Sequence, residues 1–137
     1  MRILALDYGR RRIGVAVTDP SGSVAQPLET LDVRGPRAAL PRIAELTRTY
    51  EASRIVVGLP IHMDGREGPE AEAARAFGAS VEAATNVPVE FLDERWTTVE
   101  ADRLLSTAGV RERNRRGRRD RIAAAILLQT WLRRESH

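Results

Sequence analysis

Acidic side chains occur at three separate points of this chain where elements of secondary structure are expected to begin or end. Asp7 follows a short apolar segment, Asp93 and Glu94 follow another, and Asp120 opens the last amphipathic segment. Carboxylates that converge on one point raise each other's pKa unless a cation offsets the repulsion. Oxygen ligands without histidine or cysteine suit Mg²⁺ or Mn²⁺ better than zinc. Metal ions held in this way catalyse phosphoryl transfer, because they hold the scissile phosphate, activate water and stabilise the leaving oxygen.

Each of these acids also has an ordinary structural explanation. Asp7 can start a turn by accepting a hydrogen bond from the backbone that follows it. Asp93 and Glu94 can form a solvated strand end, with Arg95 as an ion-pair partner. Asp120 can be an acid that the dipole at a helix N-terminus favours. A shared metal site is therefore a hypothesis, and it requires a fold that brings the three points together.

Asp120 is the most informative acid because it falls in line with a stripe of apolar residues, although Ile122 and Ile126 make this helix apolar nearly all round. The residues at helical spacing from Asp120 are Ala123, Ala124, Leu127, Leu128 and Trp131. Residues three and four positions apart share one side of a helix, so Asp120 heads the side that is expected to pack on a sheet. A carboxylate on that face must be paired, hydrogen-bonded or coordinated.

The basic residues are all arginines, 22 in number, and their distribution is uneven. Residues 111–121 contain seven arginines and two acids, a net charge of +5, whereas the rest contains 15 arginines and 17 acids, a net charge of −2. A slightly acidic body with one basic segment favours contact with a polyanion there, and nucleic acid is the polyanion expected. The arginines from Arg111 to Arg119 repel one another and Gly117 loosens the backbone, so we expect a mobile loop that leads into Asp120.

The composition excludes several classes of protein. There is no cysteine, which excludes disulfides, zinc–thiolate sites, iron–sulfur clusters and thiol nucleophiles. No apolar run approaches the ~20 residues of a membrane span, and the first residues lack the pattern of a secretion signal. With 42% apolar and 30% charged residues, the chain is typical of a globular protein. We expect a cytoplasmic location and no membrane partner.

Apolar periodicity and turn residues predict the elements that must position the acids. The length of 137 residues predicts one domain over residues 1–137. The predicted order is βββαβαβαα, an α/β fold in which a mixed five-stranded sheet carries helices on both faces. The predicted strands are 2–6, 13–18, 23–26, 54–60 and 87–92, and the predicted helices are 36–50, 67–85, 97–108 and 119–134.

Four blocks of the sequence resemble the signature blocks of the YqgF/RuvX family, which are RuvC-like Holliday junction resolvases with a ribonuclease H-like fold. The first block runs from Asp7 to Asp19 as D-Y-G-x-x-R-I-G-V-A-V-x-D, and the second is V-G-L-P at residues 57–60. The third is D-E-R-x-T-T-x-x-A from Asp93, and the fourth is D-x-x-A-A-x-x-L-L from Asp120. Each block alone is weak, whereas four in order over nearly the whole chain are a specific signal.

The resemblance implies a bacterial cytoplasmic nuclease with a Mg²⁺ or Mn²⁺ site. It also implies a role in 5′-end maturation of pre-16S rRNA, or in the resolution of Holliday junctions and other branched DNA. The residues that match the family's expected catalytic and metal-binding triad are Asp7, Glu94 and Asp120. Asp93 matches less directly, because strand alternation points it away from Glu94. The arginines expected to contact nucleic acid are Arg10, Arg11, Arg12, Arg95, Arg115, Arg116, Arg118 and Arg119.

A few other residues have a predicted role. Gly9 and Gly14 are expected to permit a tight turn and a close backbone approach. His62, the only internal histidine, is expected to be structural or solvated. Trp96 is expected to anchor the core rather than to stack on a base, and aromatic residues, at 4% of the chain, are too few for a stacking platform.

Two other functions remain open at the level of sequence. A catalytically silent ribonuclease H-like module would bind nucleic acid without cutting it. The spacing Asp7-x-Gly9 also resembles the phosphate loop of actin-like ATPases, but those enclose a nucleotide between two domains and this chain has the length of one. A symmetric four-way junction as substrate favours a homodimer.

Overall fold

The computed structural model describes residues 1–97 and 115–135. The strands are β1 (Arg2–Tyr8), β2 (Arg12–Thr18), β3 (Ala25–Asp32), β4 (Ala52–Leu59) and β5 (Val89–Asp93). The α-helices are α1 (Leu40–Thr49), α2 (Pro69–Thr85) and α3 (Arg115–Glu135). Short 3₁₀ segments at Pro36–Ala39 and Glu94–Trp96 precede α1 and follow β5.

The strands form one mixed sheet in the order β3-β2-β1-β4-β5. Neighbours among the first three strands are antiparallel, because turns connect them directly. β4 pairs parallel with β1, and β5 pairs parallel with β4, because helical connections return the chain to the same end of the sheet. The carboxyl ends of β1, β4 and β5 therefore meet at one edge. The predicted α/β class with a mixed five-stranded sheet is confirmed.

Alternation along the strands divides the core into two layers. One layer packs beneath α1 and α2 and includes Leu4, Leu6, Val15, Val57, Ile43 and Phe77. The other packs beneath α3 and includes Ile3, Ala5, Ala16, Val56, Leu127 and Leu128. Helices on both faces, as predicted, are confirmed. Because strand residues alternate between faces, Asp7 shares the α3 face with Ile3 and Ala5.

β3 is the strand whose predicted extent was wrong. The sequence predicts a strand over residues 23–26, whereas β3 runs from Ala25 to Asp32 at the edge of the sheet. Most of its side chains are exposed or half-buried, so the apolar run that marks the other strands is missing. Pro27 lies at a shift in register, where an edge strand tolerates a residue that has no N–H to donate.

The beginning of α3 also corrects the prediction. The sequence predicts a loop up to Arg119, yet residues 115–119 form the first turns of this helix. Arginine is a good helix former, and the buried residues farther along α3 anchor it against the sheet, which offsets the ~1 kcal/mol cost of Gly117. Residues 111–114 of the predicted loop lie outside the described residues. So does the predicted helix over residues 97–108, except for Thr97, which caps the 3₁₀ segment after β5.

The remaining predicted elements are confirmed, with ends that differ by a few residues. The helix predicted from Pro36 begins as a 3₁₀ segment, and α1 itself starts at Leu40. α2 starts at Pro69, a residue suited to a first helical turn, and is capped by Asn86 in the left-handed conformation. Among the described helices, none is both long and apolar enough to cross a membrane.

Candidate active site

Asp7 lies near the end of the central strand, on the face that α3 covers. It pairs with Gly14 of β2 on one side. On the other side, the pairing of Leu6 with Val57 places Gly58 of β4 beside it. Neither flanking glycine has a side chain, so the surface around the Asp7 carboxyl group is open to groups from other elements.

Glu94 reaches this surface across Gly58. Leu92 of β5 pairs with Gly58, and Glu94 begins the 3₁₀ segment that follows the strand. A β-carbon added at Gly58 would lie 2.5 Å from Oε1 of Glu94, a distance that real β-carbons do not show. The glycine therefore leaves the room that the Glu94 side chain occupies. A glycine within an apolar strand is the sequence signal for such an approach, and it was missed here.

Asp120 is placed by the contact between α3 and β2. A β-carbon added at Gly14 would lie 1.8 Å from the backbone carbonyl oxygen of Asp120, so the helix backbone rests on the strand at this glycine. The predicted close approach at Gly14 is confirmed. Oδ2 of Asp120 accepts a hydrogen bond from Nε of Arg12 at 2.8 Å, and the Asp120 side chain remains 25% exposed. Asp120 is thus an ion-paired carboxylate on the packed side of its helix, as its burial requires.

Glu94 and Asp120 both influence the protonation of Asp7. Burial, the charges of Glu94 and Asp120, and a hydrogen bond with Glu94 together raise the pKa of Asp7 to about 8. Burial also raises the pKa of Glu94, although the hydrogen bond from Asp7 lowers it in part. The proton therefore resides on Asp7, whose carboxyl group donates to the Glu94 carboxylate. Protonation of Asp7 relieves the repulsion between acids that face each other without a cation.

Asp93 turns away from these acids. Its carboxylate accepts hydrogen bonds from the backbone N–H of Arg95 at 2.9 Å and from the Arg95 guanidinium at 2.6 Å. These bonds hold the pKa of Asp93 below its usual range. Arg95 also donates to the carbonyl oxygens of His62 and Met63, which ties the segment after β5 to the loop after β4. The two neighbouring acids therefore diverge, and Glu94 is the one beside Asp7.

A cavity of about 290 Å³ opens beside Asp7 and Glu94, and we call it the acidic cavity. Its other lining residues are Tyr8, Gly9, Arg10, Pro60, Pro69, Glu70 and Ala73. Glu70 carries no signal in the sequence, because an acid in the first turn of a helix is common for reasons of the helix dipole alone. The cavity connects the protonated acid pair with solvent.

The turn between β1 and β2 holds three of the predicted arginines in different environments. Arg10 and Arg11 are exposed, and Arg10 also lines the acidic cavity. Arg12 is half-buried and bonded to Asp120. Arg10 is therefore available to a ligand in the cavity, whereas Arg12 must first leave its acid.

The other predicted arginines lie in α3, apart from Arg95 on Asp93. Arg118 and Arg119 are exposed and directly precede Asp120. Arg115 and Arg116 belong to the same first turns of the helix. The helix thus carries its concentrated positive charge toward the end that contacts β2.

Trp96 and His62 lie at the outside of this region. Trp96 is 54% exposed, and the guanidinium of Arg134 lies 4.6 Å from the centre of its ring. The prediction that Trp96 anchors the core is wrong, because the 3₁₀ segment after β5 turns the ring outward. His62 is exposed in the loop after β4, with Nε2 against Gly68, and it does not line the acidic cavity.

The donor atoms suit a divalent cation, although they are not gathered around one. In the parts of the chain that the structure describes, no three acidic or histidine side chains are grouped closely enough to hold a metal ion. Asp7 and Glu94 share a hydrogen bond, and Asp120 is bonded to Arg12. All three supply carboxylate oxygens, the ligands that Mg²⁺ and Mn²⁺ take. The residues fit such an ion once Asp7 loses its proton and Arg12 leaves Asp120.

Proteins with similar sequences carry a consistent name. A protein of Pelotomaculum thermopropionicum is 49% identical over 133 residues, which cover 96% of this chain and 86% of that protein. A protein of Anaeromyxobacter dehalogenans strain 2CP-C is 48% identical over 136 residues, which cover 99% of each chain. Both are named as candidate pre-16S rRNA nucleases.

Two solved structures have the same fold at low sequence identity. Thermus thermophilus RuvC in complex with a Holliday junction substrate is 17% identical, with a TM-score of 0.64 over 99% of this chain and 96% of RuvC. The fowlpox virus Holliday junction resolvase is 11% identical, with a TM-score of 0.56 over 98% of this chain and 99% of that one. These likenesses confirm the ribonuclease H-like fold of RuvC-type resolvases. The family model RuvX, described as a Holliday junction resolvase, matches residues 1–134, and the chain belongs to this family.

Proposed function

We propose that this protein is a divalent-metal-dependent nuclease that hydrolyses phosphodiester bonds, with Asp7, Glu94 and Asp120 as its catalytic and metal-binding residues. The observation that carries the proposal is the convergence of these acids from β1, the segment after β5 and α3, which together with burial raises the pKa of Asp7 to about 8. Clustered acids with perturbed pKa values beside a cavity are typical of catalytic sites. Residues 1–137 would act as one nuclease domain.

The chain's own groups prepare the site in distinct ways. Asp7 gives up the proton that it shares with Glu94, so that three carboxylates become available as ligands. Asp120 would hold a cation only after Arg12 leaves it, and the guanidinium of Arg12 would then be available to a phosphate. Divalent ions, when bound, hold the scissile phosphate, activate a water molecule and stabilise the leaving oxygen. Arg10, on the wall of the acidic cavity, adds a positive charge that draws in the phosphate backbone.

The proposed substrates are structured nucleic acids that are recognised through their phosphates. The names of the similar bacterial proteins favour the 5′ end of pre-16S rRNA, and the description of the family model favours Holliday junctions and other branched DNA. Both carry the same phosphodiester chemistry, and few aromatic residues are present to read bases. We place the activity in the bacterial cytoplasm, and a homodimer would match a symmetric junction.

A catalytically silent binding module is the second candidate. It is favoured by the ion pair that neutralises Asp120 and by the lack of a ready-made metal cluster among the described residues. Such a module would bind the same nucleic acids and leave them intact at every metal concentration.

The two candidates are separated by a cleavage panel with the purified protein. The substrates are a four-way junction, a fork, duplex DNA and a pre-16S rRNA fragment, each in Mg²⁺, in Mn²⁺ and in chelator. A nuclease cuts at least one of them in metal and none in chelator. Binding without any cutting, in all three conditions, identifies the silent module instead.

A further inference from the structure

A second cavity adjoins the acidic cavity along α2. Its volume is about 420 Å³, and we call it the Arg37 cavity. It is lined by Tyr8, Arg37, Leu40, Ala73, Ala76, Phe77 and Ser80. Tyr8 and Ala73 belong to both cavities, so the two are neighbours and share a boundary.

One side of α2 forms the wall of both cavities. The wall residues are Pro69, Glu70, Ala73, Ala76, Phe77 and Ser80. These positions recur at three- and four-residue spacing, which places them on one side of the helix. From the first to the last of them the helix rises about 16 Å at about 1.5 Å per residue. The side chains of Ala73, Ala76 and Ser80 are small and leave space along this side of the helix. The two cavities therefore join into one continuous groove, which we call the trough.

The trough has a pair of aromatic rings at its middle and an arginine at each end. The half-buried ring of Tyr8 stacks on that of Phe77 with centroids 4.6 Å apart. Phe77 is 3% exposed, so Tyr8 is the ring that a base can reach, a single contact that the low aromatic content of the chain did not predict. Arg10 lies at the end beside the acids, in the cavity that Glu70 also lines. Among the residues that the structure describes, Arg37 is the only charged one that lines the other cavity. Arg10 and Arg37 are both exposed, and neither forms an ion pair with another described residue. Basic and aromatic side chains along a groove are the groups with which proteins hold unpaired nucleic-acid strands.

We propose that this trough binds an unpaired strand of the nucleic-acid substrate, which runs from the acidic site along α2 to Arg37. The inference rests on the proposed nuclease function and names the form of the substrate next to the cut. A length of about 16 Å accommodates at most about five stacked nucleotides at about 3.4 Å each. Substrates with a single-stranded arm, such as forks and overhangs, therefore gain contacts that a blunt duplex does not.

The first test blocks the trough without touching the acids. Ala76→Trp fills its middle, whereas Ala79→Trp adds the same bulk at an exposed position of α2 that lines neither cavity. Binding is measured in chelator, so that nothing is cut, by fluorescence anisotropy of labelled duplexes that are blunt or carry an oligo-dT or oligo-rU overhang. Ala76→Trp is expected to raise the Kd for both overhangs about tenfold, the equivalent of losing one stacked base. Ala79→Trp is expected to leave every Kd within a factor of two of the parent.

The second test concerns Arg37, at the end of the trough away from the acids. Arg37→Gln removes one phosphate contact, so the slope of log K against log salt for an overhang should flatten by about 0.7. Arg48→Gln, an exposed arginine of α1 outside both cavities, serves as the matched control and should leave the slope unchanged. An effect on the overhang of only one sugar type assigns the strand as RNA or DNA, and supports the trough in either case.

The proposal is overturned if Ala76→Trp acts like Ala79→Trp, if it weakens blunt and overhanging duplexes equally, or if Arg37→Gln leaves the salt slope unchanged. These results concern binding in chelator and are separate from the cleavage panel. A protein that cuts but fails them is a nuclease without this trough. A protein that passes them but cuts nothing is a binding module with it.

Discussion

The Asp7 carboxyl group is where the electrostatics of the candidate site converge. It lies between Gly14 and Gly58 of the neighbouring strands. It forms a hydrogen bond with Glu94 and interacts electrostatically with Asp120. Burial of Asp7 and the negative charges of Glu94 and Asp120 make its ionised form less favourable in the protein without metal. The stability of the folded protein therefore depends on pH through these acids, and this dependence can be measured without any substrate.

Asp7→Asn should stabilise the metal-free protein, and more so at alkaline pH. Between about pH 4 and about pH 8 the folded protein holds a proton on Asp7 that the unfolded chain has released. Because the folded state binds more protons in this window, stability falls as the pH rises through it. Asparagine cannot ionise and escapes this loss. We expect the melting temperature of the variant in chelator to exceed that of the parent by at least about 3 °C at pH 8, and by much less at pH 5.

Asp32→Asn is the control for this measurement, because it neutralises an exposed acid at the end of the edge strand β3. It should give no gain that grows with pH. A gain for Asp7→Asn that is equal at pH 5 and pH 8 would contradict the placement of the proton on Asp7.

Glu94→Gln and Asp93→Asn should affect metal binding unequally, although the residues are neighbours. Glu94 lies against Gly58 beside Asp7, whereas Asp93 is bonded to Arg95. We expect Glu94→Gln to weaken Mn²⁺ binding, measured by titration calorimetry, by at least about tenfold. Asp93→Asn should free Arg95 and lower the melting temperature while changing Mn²⁺ affinity much less. Equal losses of Mn²⁺ affinity would show that the assignment of Glu94 alone is wrong.

Arg12→Gln should increase affinity for Mn²⁺ if the guanidinium occupies the acid that a metal needs. Nε of Arg12 lies 2.8 Å from Oδ2 of Asp120. The comparison is Arg10→Gln, which removes the same charge from the same turn but from a side chain without that ion pair. We expect the Mn²⁺ Kd to fall several-fold more in Arg12→Gln than in Arg10→Gln. Weaker binding in Arg12→Gln would mean instead that the ion pair orients Asp120 for the metal.

At the scale of the elements, two glycines decide how closely other parts of the chain approach β1 at Asp7. Gly14 admits the backbone of α3 and Gly58 admits the side chain of Glu94. The close approach at Gly14 could be predicted, because a glycine follows the turn in a strand that is otherwise apolar and β-branched. Gly58 gave a similar signal within β4, but the partner that fills its space comes from β5 and is not adjacent in sequence. Local patterns indicate that a space exists, whereas only the strand order shows what occupies it.

α3 is the element whose beginning could not be predicted from charge. Repulsion among arginines favours a loop, yet a helix whose other end is buried continues through Arg115 to Arg119. Arg118 and Arg119, which directly precede Asp120, are therefore presented from a helical backbone. This changes how this part of the basic segment meets a substrate, because its backbone is already helical before a ligand binds.

Replacing four arginines of this helical start by glutamine should flatten the salt dependence of binding to duplex DNA. The variant changes Arg115, Arg116, Arg118 and Arg119, and glutamine retains helix propensity. Each lost phosphate contact contributes a slope of about 0.9, so the slope of log K against log salt should fall by up to about 3–4 units. Binding should weaken for all sequences alike, since phosphate contacts carry no base information. An unchanged slope would show that the substrate does not lie along α3.

For the molecule as a whole, the architecture could be predicted from the sequence, whereas the protonation and ion pairing of the candidate site could not. Short apolar runs and turn residues predicted the mixed sheet, because the central strands bury apolar side chains on both faces. The extent of the edge strand β3 was not predicted correctly, because an exposed strand has no apolar run. The shared proton on Asp7, the Arg12–Asp120 ion pair and the trough along α2 depend on distances between elements, which spacing along the chain does not contain.

In the proposed mechanism, carboxylates from β1, the segment after β5 and α3 act together in metal-dependent cleavage. The most direct measurement is the rate at which purified protein cuts the best substrate of the panel in Mg²⁺, compared with the rate for Asp7→Asn. The variant keeps the size of the side chain and is expected to be at least as stable as the parent. A loss of cleavage therefore cannot be attributed to unfolding. We expect the rate for the variant to fall by several orders of magnitude while nucleic-acid binding persists. Equal cleavage by the two proteins would contradict the proposed mechanism.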